Sequence, residues 1–250
     1  MATETTPAAQ APQPESAGAF GRILGVYFSP KATFESIARR PTWLVPVLLL
    51  CLVSLGVVAG FSQRNGWPSY FKHQIESNSR MQQMPPEQQQ RAFEAQLKWG
   101  PRVAYVQVII VPFILAIALA GIFLGMFSLV SGAQLNFKTS LGIVSHAYLP
   151  NVISGLLAVL IVFLKDPSTV DLQNIVASNV GAFLASDAPR WQVALLGSLD
   201  LFSIWIMILL AMGFRAAAPK KLSFATAFFS VFGVWLFYVL AKTGITAAVS

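Results

Sequence analysis

Uncharged apolar runs separated by short polar segments fill most of the chain, and five of them are long enough to cross a bilayer as helices. They lie at about 43–61, 103–131, 140–164, 192–214 and 222–243. The second belongs to an uncharged stretch from Val103 to Phe137 that is too short for two spans and a turn, so it predicts one long helix with polar ends. Outside the runs, Phe20 to Phe28 is mostly apolar, and Ser29-Pro30 reads as an N-cap followed by proline at the first helical position. The helix that follows to Arg39 puts Phe34 and Ile37 on one side, which predicts a segment lying in the inner headgroup layer. Pro86 to Lys98 reads as a separate polar helix with Phe93 and Leu97 four apart. Beyond Pro167, Ser168 and Asp171 resemble a capping box. Leu172, Ile175, Val176, Val180, Phe183 and Leu184 then predict an amphipathic helix on the outer face. The fold class is all-α: a polytopic membrane bundle of five transmembrane helices with short interfacial helices. Residues 1–19 are expected to be a disordered tail and 20–248 the membrane domain.

Composition sharpens this picture. Apolar residues make up 55% of the chain and charged ones only 11%, against about 25% in soluble domains. The formal charge of +7 is therefore read as topology and headgroup signal rather than nucleic-acid binding. Arg39 and Arg40 precede the first span, Lys138 precedes the third, and Arg215, Lys220 and Lys221 precede the fifth. The positive-inside rule then puts the N-terminus in the cytosol and the C-terminus outside. Arg22, Lys31, Arg39, Arg40, Lys220 and Lys221 become the expected inner-leaflet contacts. The six basic residues between Arg64 and Arg102 oppose this orientation, tempered by Glu76, Glu87 and Glu94.

One carboxylate, Asp200, stands in the otherwise uncharged run from Trp191 to Phe214. An acid near the middle of a span costs about 2.5–3.5 kcal/mol on insertion scales, so it faces protein or water rather than lipid. Gly197 and Ser203, one helical turn to either side, suggest a small, polar strip for close helix contact. At 1.5 Å per residue, Asp200 is about 14 Å from the outer side and Asn151 about 18 Å from the inner, which makes Asn151 the depth-matched hydrogen-bond partner. His146, only about 10 Å in, is a helix-contact residue on this reckoning. Tyr148 and Pro150 complete the candidate intramembrane polar site, with Pro112 and Pro150 expected to kink their spans.

Two G-x-x-x-G spacings, Gly56 with Gly60 and Gly121 with Gly125, permit close helix approach. With Gly197 they are the expected packing glycines. Two histidines and the single Cys51 supply no zinc set and no disulfide framework. No phosphate-cradling glycine loop or serine-nucleophile elbow occurs, so neither enzyme, metal nor cofactor chemistry is expected.

The stretch Leu24-Gly25-Val26-Tyr27-Phe28-Ser29-Pro30-Lys31-Ala32-Thr33-Phe34, followed by Arg39-Arg40-Pro41-Thr42-Trp43, resembles the opening of the Yip domain (Ypt-interacting proteins, first type). So do Asp200-Leu201-Phe202-Ser203-Ile204-Trp205 and Ser145-His146-Ala147-Tyr148-Leu149-Pro150, and the resemblance covers about residues 20–245. It implies a five-span protein with a cytosolic N-terminus. Eukaryotic members are associated with Rab GTPases and membrane traffic. The short N-terminal tail resembles the bacterial branch, so a Rab partner is not carried over and a bacterial inner membrane is expected. The leading expectation is a non-enzymatic scaffold with the lipid bilayer and a membrane-protein partner or a second copy around it. The alternative is a small-solute or ion permease using Asp200 and the broken third span.

Overall fold

The computed structural model describes residues 18–249 apart from 65, 77, 167, 168, 171, 173, 186 and 187. Most of the expected tail, and the Ser168–Asp171 capping box, therefore lie outside the described residues. Every regular element longer than a single bridge among those described is helical. They are α1 (Ala19–Phe28), α2 (Pro30–Arg39), α3 (Leu44–Gln63), α4 (Trp67–Glu76), α5 (Ser79–Gln82), α6 (Pro86–Ser131), α7 (Phe137–Ala147), α8 (Pro150–Leu164), α9 (Arg190–Leu196), α10 (Leu201–Ala217) and α11 (Phe224–Val249). A short 3-10 turn covers Val180–Phe183. Four stretches are long and apolar enough to cross a membrane: α3, α6, α7 with α8, and α11. The fourth expected span is shorter, because α10 has 17 residues.

Side-chain contacts give the running directions. Trp43 meets Phe113 edge-on at 6.4 Å and Cys51 Sγ donates to the Ile109 carbonyl at 3.5 Å, so α6 runs back along α3. Gly142 of α7 lies against the Thr42 carbonyl, while Gly56 and Gly60 face Val159 and Phe163 of α8, so α7 and α8 run parallel to α3. Phe214 near the end of α10 packs on Phe123 and Phe127 of α6, with ring centroids 5.3 and 4.6 Å apart. One end of the bundle thus carries α2, the turn from α6 to α7 and the turn from α10 to α11. The other carries α4 and the segment from 165 to 200.

Several expectations change. Pro86–Lys98 is not a separate helix. It continues unbroken into the second span as the 46-residue α6, about 69 Å long at 1.5 Å per residue. Phe93 and Leu97 on this polar half pack against the cluster that includes Phe71 and Trp67 of α4, which supplies the tertiary support that the sequence could not reveal. Gly132, at φ 58° in the left-handed region, ends the helix. Pro112 does not break α6, whereas Pro150 separates α7 from α8. Ser29 precedes Pro30 as expected but makes no side-chain cap, and Thr33 Oγ1 instead donates to the Ser29 carbonyl at 2.9 Å.

The α1–α2 segment does not simply rest on a headgroup layer. Phe34 and Ile37 are fully buried in the bundle core, the former against Gly213 and Ile143. The Tyr27 hydroxyl donates at 2.6 Å to the Leu149 carbonyl at the Pro150 break, and burial pushes its pKa up to about 12, so it keeps its donor proton at any physiological pH. Only the Phe20, Leu24 and Phe28 side of α1 stays open.

Among the described residues the stripe from Leu172 to Leu184 forms no α-helix, only turns and bends leading to the 3-10 turn at Val180–Phe183. Asparagine side chains hold it in turns: Asn179 Nδ2 donates to Asn174 Oδ1 at 2.7 Å, and Asn179 Oδ1 accepts from the Ala182 amide at 3.1 Å. Such local bonds compete with the helical ladder. Leu172 and Ile175 still pack inward, against the cluster around Phe61 and Trp67, while Phe183 is exposed.

Candidate functional site

The largest correction concerns the fourth span. The uncharged run around Asp200 is two helices, α9 and α10, with a break at Gly197–Asp200. Gly197 closes α9, and Asp200 takes an extended backbone (φ −112°, ψ 141°) as the N-cap of α10. Its Oδ1 accepts from the Phe202 and Ser203 amides at 2.9 and 3.1 Å. Two of the free donors at the start of any helix are thereby satisfied. Gly197 and Ser203 consequently do not share a helix face with Asp200.

The remaining oxygen is also used. Asp200 Oδ2 accepts a short hydrogen bond from Ser178 Oγ, in the segment that leads back from α8. The backbone reinforces this bond: Leu201 N donates to the Ser178 carbonyl at 3.1 Å, Val180 N donates to the Leu199 carbonyl at 3.2 Å, and Asn179 and Asp200 form an isolated antiparallel bridge. Gly181 allows the approach, since a Cβ there would stand 2.8 Å from the Gly197 nitrogen. A break in an apolar helix exposes backbone that lipid cannot solvate. Here the 178–180 segment and one carboxylate supply the missing partners.

Asp200 lies on the wall of a cavity of about 780 Å³ between α3, α4, α6, α8 and the 172–200 segment. Asn151 and Ser154 of α8, Gln107 of α6, Ser54 of α3 and Asn179 also line it, and among the described residues Asp200 is the only carboxylate on the wall. Asn151 lines the same cavity as Asp200, but the carboxylate's partner is Ser178. Asn151 also borders a second, smaller cavity of about 150 Å³ with Tyr148, Ser145 and Pro112. Pro150 opens α8 beside it.

His146 is not brought to the cavity. It is buried within α7, its Nδ1 2.9 Å from the Gly142 carbonyl, which assigns the proton to Nδ1. Gly56 and Gly60 pack against α8, whereas nothing lies within 4 Å of a Cβ built on Gly121 or Gly125. Ser178, Asn179 and Gln107 were missed from the sequence. Gly197-Ser198-Leu199-Asp200 did carry a signal for the break, a helix-ending glycine followed by a strong N-cap residue.

No curated protein and no solved structure gives a match to this chain. The model of the Yip1 domain matches residues 24–242, from the α1–α2 hairpin through most of α11. With four helices long and apolar enough to cross a bilayer, the chain is an integral membrane protein, and it belongs to the Yip1 domain family.

Proposed function

We propose that this protein is a non-enzymatic scaffold of a bacterial inner membrane, organising lipid or holding a membrane-protein partner or a second copy of itself. The observation that carries this reading is the state of Asp200. Both carboxylate oxygens are spent on the N-cap of α10 and on Ser178. The carboxylate that an ion-coupled site would use is employed in closing a helix break.

The reading includes five crossings with a cytosolic N-terminus. At 17 residues α10 spans about 25 Å, close to the ~30 Å hydrocarbon core, and α9, like α10, packs on α11. Cations from separate segments support the orientation. Arg39, Arg40 and Lys138 border one hollow, and Arg39 and Arg215 another, all at the same end of the bundle. A reporter active only in the cytosol and fused after Ser250 should be silent. Strong signal there would remove α10 as a crossing.

The cavity beside Asp200 favours the permease as a second reading, because a 780 Å³ polar-walled space can hold a solute. Thiol access separates the two. In a Cys51→Ala protein, Asn151→Cys should react with an impermeant thiol reagent from the side of the 165–200 segment alone. Labelling from both faces of the membrane would mean alternating access and would favour transport.

A further inference from the structure

At the end of the bundle away from Asp200, Arg22 is 5% exposed yet carries a full charge inside the α1–α2 hairpin. One guanidinium nitrogen donates to the Arg40 carbonyl at 2.7 Å and to Thr42 Oγ1 at 3.0 Å. Its buried Nε has no hydrogen-bond partner. Arg22, Arg39, Arg40 and Lys138 border a hollow of about 540 Å³ with Gly18, Ala19, Pro41 and Thr42, and among the described residues no acid lies on its wall. Among the described residues none of these four cations has a carboxylate within 4 Å. Burial and the neighbouring Arg40 charge both lower the Arg22 pKa, the signature of a cation short of counter-charge. A charge held this way is costly unless something negative joins it.

We propose that Arg22, Arg39, Arg40 and Lys138 form a pocket for the phosphate of an anionic lipid headgroup. Three segments distant in sequence supply the charges, and guanidinium forks suit phosphate oxygens. A lipid, rather than free phosphate, is indicated by the outer side of α1. Phe20, Leu24 and Phe28 recur every fourth residue and are open, 73%, 44% and 83% exposed, opposite buried Arg22 and Val26. That stripe seats α1 at the acyl–headgroup boundary and sets Arg22 at the level of the phosphates.

The test uses the full chain in detergent, with bound lipid counted by native mass spectrometry. Phosphatidylglycerol and phosphatidylcholine of equal acyl length are offered separately, and inorganic phosphate is offered as competitor. The parent protein should retain phosphatidylglycerol preferentially. Arg40→Gln and Lys138→Gln remove exposed charges and keep both Arg22 hydrogen bonds, to the Arg40 backbone carbonyl and to Thr42, and each should weaken retention about fivefold, or about twenty-fivefold together. Arg215→Gln removes one charge from the same end of the bundle, outside this hollow, and should change retention less than about twofold. Equal losses in this control would reduce the pocket to diffuse attraction and overturn the proposal. Equal retention of phosphatidylcholine would overturn it as well, and displacement of lipid by millimolar inorganic phosphate would assign the pocket to a soluble anion instead.

Discussion

Asp200→Leu should destabilise the protein by about 2–4 kcal/mol and loosen the 165–200 segment. Losing an N-cap costs about 0.5–2 kcal/mol, and losing the bond from the half-buried Ser178 hydroxyl to a charged acceptor costs about 1.5–3 kcal/mol. Interhelical bonds within membranes average about 0.6 kcal/mol, so the lower part of the range applies where the Val176 carbonyl, 3.4 Å away, takes over the Ser178 hydroxyl. Asp200→Asn should melt close to the parent, because asparagine caps as well as aspartate and still accepts from serine. Thermal melting in detergent, with trypsin cleavage at Lys165 and Arg190 as a local probe, reads both effects. A leucine variant that melts and resists trypsin like the parent would mean that the cap holds nothing.

Phe34→Ala should be at least as damaging, at about 3–5 kcal/mol. The ring is fully buried where α2 meets α7 and α10, filling the space that Gly213 leaves against Ile143. Its removal opens a cavity at the joint that fastens the whole hairpin, and with it the Tyr27 bond to the Leu149 carbonyl. Phe28→Ala, on the open side of α1, should leave melting unchanged. Equal melting of the two variants would mean that α2 contributes no core.

How far the sequence exposes this structure depends on which physical signal each element carries. Long uncharged runs such as α3 and α11 are legible because length and hydropathy alone define them. The same measure hides the break before α10, since Gly197, Ser198 and Leu199 dilute an apolar average too little to interrupt it. There the aspartate looked like an intramembrane charge when it was a helix start. The stripe from Leu172 to Leu184 misled in the opposite sense: spacing by three and four also arises in an irregular segment whose alternate residues pack inward, and Asn174 and Asn179 decide the backbone. Gly56 and Gly60 were legible as close-approach positions, but the same motif at Gly121 and Gly125 faces open space. The cavity could not be read at all, because Ser54, Gln107, Asn151 and Asn179 meet only after four separate segments fold.

The central claim is that the Asp200 carboxylate works as a hydrogen-bond acceptor and that its charge is dispensable. Chromosomal replacement by Asp200→Asn, scored against deletion of the gene under any condition in which deletion alters growth or membrane properties, tests it most directly. Protein level and melting are measured alongside. The account predicts a folded Asp200→Asn protein that restores the parental phenotype in full. A protein folded to the same level that behaves like the deletion would contradict it and make the charge itself the working part of the site.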